Sequence, residues 1–305
     1  MSRFLPPAVV GTLAFVAFVL NILFWFPFLM VSALVRVALP VPVVVRWCRR
    51  AATAIGEAWI GFNVLGLRVA GHTTWQVTQP GGLRSDRWYL VTCNHRSWVD
   101  IVIVQWLFNR RIPLLKFFLK RELFWVPLLG FAWWALEFPF MHRYPRAVLE
   151  QRPELRRRDL DTTRRACERF RDAPVSVLNF LEGTRYSVEK RDRQGSPYRH
   201  LLLPRAGGIA QVVSTLGDKL DAWLDVTIVY PGGTPSFWDL IAGQIPSVVV
   251  HVERLVADPA WTGRDYEADA AFRESFQAFV RDLWAAKDAR IGKFLGTLPA
   301  PSQPA

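Results

Sequence analysis

The chain has 305 residues, 51% of them hydrophobic, and a formal net charge of +12 from 38 Lys and Arg against 26 Asp and Glu. That apolar content excludes a disordered chain and is ample for a substantial buried core. Three cysteines, Cys48, Cys93 and Cys167, show no paired spacing, which excludes a disulfide framework and a cysteine zinc site and fits a reducing cytoplasm.

Taken from the amino terminus, Ala8 to Val35 carries no charge. As a helix it would rise about 40 Å, beyond the roughly 30 Å of a bilayer's hydrocarbon core. Pro27 interrupts the stretch, and Val37 to Val45 continues apolar with Pro40 and Pro42. Two readings follow: a tilted membrane helix, or a hairpin of two helices dipping into one leaflet. A cleaved signal peptide fits less well, because its apolar region is usually about 7–15 residues. Arg36, Arg46, Arg49 and Arg50 follow, so the positive-inside rule predicts a cytoplasmic remainder. Residues 1–60 are therefore expected to form a membrane anchor.

From residue 61 to residue 298, β-type runs alternate with helical ones. Strands are predicted near 67–71, 87–93, 113–119, 136–141, 175–181, 223–230 and 247–254. Helices are predicted near 98–109, 122–134, 146–172, 206–217 and 266–294. This alternation predicts one α/β domain, a mixed sheet with flanking helices. The charged stretch Arg185 to Tyr198, with Gly195 and Pro197, reads as a mobile surface loop, and 299–305 as a disordered tail. The basic residues are spread along the chain with a cluster from Arg152 to Arg171 and no nucleic-acid motif. An anionic membrane surface is the expected partner and nucleic acid is not. Several of the 14 tryptophans gather around the apolar segment Leu123 to Trp134, which is too short to span and suits a membrane interface, the wall of an apolar tunnel or ordinary core.

Asn94-His95-Arg96-Ser97-Trp98-Val99-Asp100 follows the apolar run Tyr89 to Cys93, so the imidazole falls where a strand gives way to a helix. In open α/β sheets that crevice binds ligands. His95 is suited to general-base work near neutral pH, with Asp100 on its other ring nitrogen. Backbone N–H groups at the helix start are candidate oxyanion donors. Ser97-x-x-Asp100 reads equally as a helix capping box. Cys93 beside the base is better read as a small buried hydrophobe than as an acyl-carrying thiolate. A second run, Val175 to Phe180, leads into Leu181-Glu182-Gly183-Thr184-Arg185. Gly183 permits a sharp turn, and Arg185 offers a guanidinium that grips phosphate bidentately.

These residues resemble the glycerolipid (PlsC-like, 1-acylglycerol-3-phosphate) acyltransferases, marked by Asn-His-x-x-x-x-Asp and Phe-Pro-Glu-Gly-Thr-Arg. The resemblance runs from about Gly61 to Tyr230. It includes Lys120-Arg121-Glu122-Leu123, Phe138-Pro139-Phe140-Met141-His142-Arg143, Pro204-Arg205-Ala206-Gly207-Gly208, and Asp225 to Tyr230. It implies His95 as base, Asp100 as its orienting partner, and Glu182, Gly183, Thr184 and Arg185 as acceptor-binding residues. Arg143, Lys120 and Arg205 are further candidates for phosphate contacts. Leu181 replaces the usual proline, and His142 stands where an aspartate is common. The form is more similar to the YihG-type or lysocardiolipin-like branches than to the housekeeping lysophosphatidate enzyme.

The function so implied is acyl-CoA-dependent esterification of a lysophospholipid hydroxyl, with acyl-CoA or an acyl carrier protein as donor, no cofactor and no metal. A lipid hydrolase would use the same base on water, but the chain lacks a Gly-x-Ser-x-Gly elbow. A non-catalytic lipid-binding adaptor is the remaining alternative.

Overall fold

The computed structural model describes residues 5–141 and 153–297. Two long helices come first, α1 (Pro7–Ala38) and α2 (Pro42–Ala70), each with proline in its first turn, where the missing N–H costs nothing. Pro27 does not break α1. Only 11% of the most apolar window of α1 is buried within the protein, so this helix is apolar on faces that the chain does not cover. That is the pattern of a helix meeting lipid.

The sheet begins with β1 (Thr74–Thr78) and β2 (Trp88–Cys93), which leads into α3 (Val99–Phe108). After β3 (Leu115–Phe117) come β4 (Leu119–Lys120), a 3-10 turn (Arg121–Trp125), α4 (Leu129–Ala135) and β5 (Phe140–Met141). The remainder is α5 (Pro153–Phe170), β6 (Ser176–Phe180), α6 (Val188–Gln194), α7 (Ala206–Leu216), β7 (Leu220–Val229), α8 (Phe237–Ile241), β8 (Ser247–Leu255) and α9 (Ala270–Thr297). Six strands form one mixed sheet in the order β1-β8-β7-β2-β6-β3, parallel except between β7 and β8, and β4 pairs with β5 beside it. The expected α/β architecture is thus present.

Alternate residues of β2 serve opposite faces, as the strand period requires. Leu90 packs with Cys167, Ile209 and Trp284 from α5, α7 and α9. Tyr89, Val91 and Cys93 pack with Ile103 and Leu107 from α3. A third apolar cluster joins Leu29 and Ala33 of α1 and Ala52 of α2 to Ala132 and Ala135 of α4.

Four expectations need correction. The strand at 67–71 is the last turn of α2, closed by Gly71 N–H to Leu67 O, so the break expected at residue 60 falls inside a helix. The true first strand, β1, is exposed along its length and is held by its ladder to β8 and by the Trp75 ring against Trp106 of α3, centroids 4.4 Å apart. The helix at 122–134 is split around Pro127, where Val126 is extended and Leu128 takes φ 60. The loop at 185–198 contains α6, capped by Ser187 and ended by left-handed Gly195. The start of the helix predicted from 146, the tail at 299–305, and Arg143 lie outside the described residues.

Candidate active site

The site follows from the ladder. β2 and β6 are parallel neighbours with Cys93 opposite Phe180, so the segments that leave them, 94–100 and 181–186, emerge side by side. Two hydrogen bonds then fasten one to the other. Glu182 Oε1 accepts from His95 N–H at 2.7 Å, and His95 O accepts from Tyr186 N–H at 2.7 Å. On the far side of β2, Asn94 exchanges two hydrogen bonds with the backbone of Ile228 on β7, at 2.8 and 2.9 Å.

His95 lies over Phe180, with ring centroids 4.1 Å apart. Its Nδ1 is 2.9 Å from Asp100 Oδ2. Nε2 makes no hydrogen bond among the described residues, and the side chain keeps 13% exposure. With the carboxylate accepting at Nδ1, the neutral ring carries its proton there and leaves the Nε2 lone pair outward. Asp100 is fully buried and receives three further donors. These are Arg96 N–H at 2.6 Å, Ser97 N–H at 2.8 Å and Tyr230 O–H at 2.5 Å. The dyad is therefore braced by residues that the motif alone does not reveal.

The capping reading and the catalytic one coincide in part. Asp100 reaches back to Ser97 N–H, as in a capping box, while Ser97 Oγ accepts from Val99 N–H and donates to Pro235 O. Of the backbone N–H groups expected here as oxyanion donors, those of Arg96, Ser97 and Val99 are already engaged. Cys93 is buried and its thiol is pushed well above the usual range, chiefly by burial. It stays protonated and is no nucleophile.

Glu182 faces inward. Its second oxygen accepts from Leu202 N–H at 3.0 Å, and burial raises its carboxyl to about 7 against the pull of those two backbone donors. It positions the turn and presents no face to a substrate. Gly183 takes φ +67, where a larger residue is strained, and a Cβ there would lie 3.1 Å from the Arg205 side chain, which would have to shift. Thr184 Oγ1 and Arg185 O both accept from Lys190 Nζ, at 3.0 and 2.8 Å. The Arg185 guanidinium is exposed and sits 5.0 Å from the Trp98 ring centroid, next to the loop that carries His95. Arg205 precedes α7 with its N–H on Leu181 O. Lys120 is exposed on β4, which follows edge strand β3 at the same end of the sheet. Among the described residues no cluster of three or more His, Cys, Asp and Glu could hold a metal.

A histidine–aspartate pair at the end of a parallel strand, with an open arginine on the neighbouring turn, is the candidate group-transfer site of this α/β sheet. The Acyltransferase family profile matches residues 74–235, more than half of the chain, and the chain belongs to that family. The chain is 31% identical over 251 residues to lysocardiolipin acyltransferase 1 of Danio rerio, covering 77% of this chain and 58% of the relative. It is 28% identical over 232 residues to 1-acyl-sn-glycerol-3-phosphate acyltransferase 2 of Arabidopsis thaliana, covering 70% and 54%. The chain thus spans somewhat over half the length of these relatives. The fold is that of PlsC, the 1-acyl-sn-glycerophosphate acyltransferase from Thermotoga maritima, with a TM-score of 0.53 at 17% identity over 91% of this chain and 96% of that one.

Proposed function

We propose that this chain transfers an acyl group from acyl-CoA, or from an acyl carrier protein, to the free hydroxyl of a lysophospholipid. One observation carries the reading: His95 Nε2 is unengaged while the Arg185 guanidinium stands open on the adjoining turn, the two segments being bonded through His95 O and Tyr186 N–H. His95 Nε2 takes the hydroxyl proton as that oxygen attacks the thioester carbonyl. The new C–O bond forms, the C–S bond breaks, and the departing thiolate takes the proton back from the ring. General-base help is worth roughly 10²–10⁴-fold. Arg185, with Arg205 beside the same turn, holds the headgroup phosphate so that the hydroxyl stands beside the base. Such positioning supplies up to roughly 7–11 kcal/mol. The motif departures and the relation to a lysocardiolipin acyltransferase favour a lysophospholipid with a larger headgroup, as in the YihG-type or lysocardiolipin-like branches.

The reading includes attachment to the cytoplasmic face of a bacterial inner membrane, with α1 and α2 as a hairpin in one leaflet. Its support is that α1 touches the catalytic domain at both ends. Near its start Gly11 packs on Trp238 of α8, and at its end Arg36 bonds Ala135 O and pairs with Glu137. A helix crossing to the far leaflet would carry one end away from that domain.

The test is incubation of the purified protein with lysophosphatidate and lysophosphatidylglycerol, with and without acyl-CoA, and mass spectrometry of the products. Diacyl product that needs acyl-CoA, is absent with His95→Ala, and forms with a strongly raised KM in Arg185→Ala agrees with the proposal. Full turnover by His95→Ala, or fatty acid released without CoA, would end it.

A further inference from the structure

Trp98 is an oddity that packing does not explain. It stands between the base and its aspartate, yet 51% of it faces solvent. Its indole lies beneath the Arg185 guanidinium at 5.0 Å. The reverse arrangement exists alongside: Arg96, from the same loop as Trp98, lies 4.4 Å over the ring of Tyr186, the neighbour of Arg185. Each segment therefore gives one arginine and receives one.

The two contacts are loaded differently. The Arg96 guanidinium is tied down, donating to His200 O at 2.9 Å. Tyr186 is fixed too, its N–H on His95 O and its hydroxyl on Arg199 O at 3.2 Å. That pair is a structural brace. The Arg185 guanidinium, by contrast, donates no hydrogen bond to any described residue, although Lys190 holds its carbonyl oxygen. Its backbone is fixed and only its side-chain torsions remain free. An aromatic face under a guanidinium restricts those torsions while leaving the in-plane N–H groups open for a bidentate phosphate.

Resting on the phosphate-gripping reading of Arg185, we propose that Trp98 is a positioning residue for the acceptor headgroup, holding Arg185 in its phosphate-ready orientation from within the catalytic loop. The same ring would thereby couple phosphate capture to the loop that presents His95. The effect on rate should be confined to acceptors that carry a phosphate.

The test is initial-rate kinetics with lysophosphatidylglycerol and with monoacylglycerol, which has the hydroxyls but no phosphate. The proteins compared are wild type, Trp98→Leu, Trp98→Phe, Arg185→Ala and the Trp98→Leu/Arg185→Ala double variant. Trp98→Leu should raise KM for the phosphate acceptor about two- to fivefold, the size of a half-exposed cation–π contact, with kcat held. Trp98→Phe should recover much of that loss, and KM for monoacylglycerol should not move. In the double variant KM should match that of Arg185→Ala, because the ring acts only through the guanidinium. A raised KM in Arg185→Ala with an unaltered one in Trp98→Leu would overturn the role of Trp98 alone, as would additive effects in the double variant. An unaltered KM in Arg185→Ala would overturn the phosphate reading, and the role of Trp98 with it.

Discussion

His95 and Asp100 were legible because five positions separate them and a helix starts between them, so local geometry alone brings the ring to the carboxylate. Tyr230 was not, because its hydroxyl reaches Asp100 Oδ1 across 130 residues of chain, through the pairing of β2 with β7. Burial raises the Tyr230 phenol well above its usual range, so it remains a proton donor to Asp100. Tyr230→Phe strips one carboxylate oxygen of its only described donor, a bond of roughly 1.5–3 kcal/mol. About a tenfold drop in kcat with KM little changed is expected, and kinetics indistinguishable from wild type would show that the phenol does not brace the dyad. Glu182 is a comparable case, expected at the acceptor and found supporting the backbone of His95. Its carboxyl titrates at about 7 in the fold against an ordinary 4.5, so the folded chain binds this proton more tightly than the unfolded one. Its contribution to stability is therefore complete below about pH 4.5 and is lost as the pH rises through about 7. Burial lowers His200 and His251, which tilts stability the other way, so wild type is best set against Glu182→Gln. The melting temperature of wild type relative to that variant should fall from about pH 5 to about pH 7.5. A difference constant across that range would contradict the assignment.

Strand ends and helix caps decide the next scale. β2, β6 and β7 carry enough Val, Ile and Leu to be read directly, because buried parallel strands show near-continuous apolar runs. β1 escaped notice because none of its residues is buried, and α2 absorbed residues 67–70 because nothing before Gly71 stops it. The segment after β4 shows how proline and glycine outrank apolar content. Pro127 breaks the helix, and Gly130 then lets the chain fold back so closely that a Cβ would meet Phe124 O at 1.9 Å. Gly130→Ala should therefore cost about 1–3 kcal/mol by overpacking against backbone. Thermal unfolding measures it, and an unshifted midpoint would mean that the turn is not this tight. The same turn leaves Trp125 78% exposed while Ala132 and Ala135 are sealed against α1 and α2. The tryptophan-rich segment is thus part core and part open apolar surface, beside the two long helices.

At the scale of the whole molecule, α1 is bound along the catalytic domain and its outward side is bare. Cysteines placed at Leu5 and Leu39, in a Cys48→Ser background, should both react with an impermeant thiol reagent from the cytoplasmic side of vesicles. Labelling from opposite sides would instead establish a full span. Beneath the site, Lys287 of α9 donates to Val226 O at 2.7 Å and pairs with Asp225 Oδ1 at 2.8 Å, both side chains fully buried, which pins the last helix to β7 beside the catalytic strand. The pairing itself was not legible in the sequence, since a lysine in a charged helix reads as solvent-facing until its depth is known. By itself the sequence determined the α/β class, the apolar amino-terminal segment, the close spacing of His95 and Asp100 and the placing of Arg185 just past a strand end, because period, charge and short-range spacing act within a few residues. The tertiary structure alone decided that His95 and Arg185 share one rim, that Glu182 turns inward, that Tyr230 braces Asp100 and that α1 lies against the domain. Those outcomes depend on which strands become neighbours and on how deeply each side chain is packed, and no local stretch of residues encodes either.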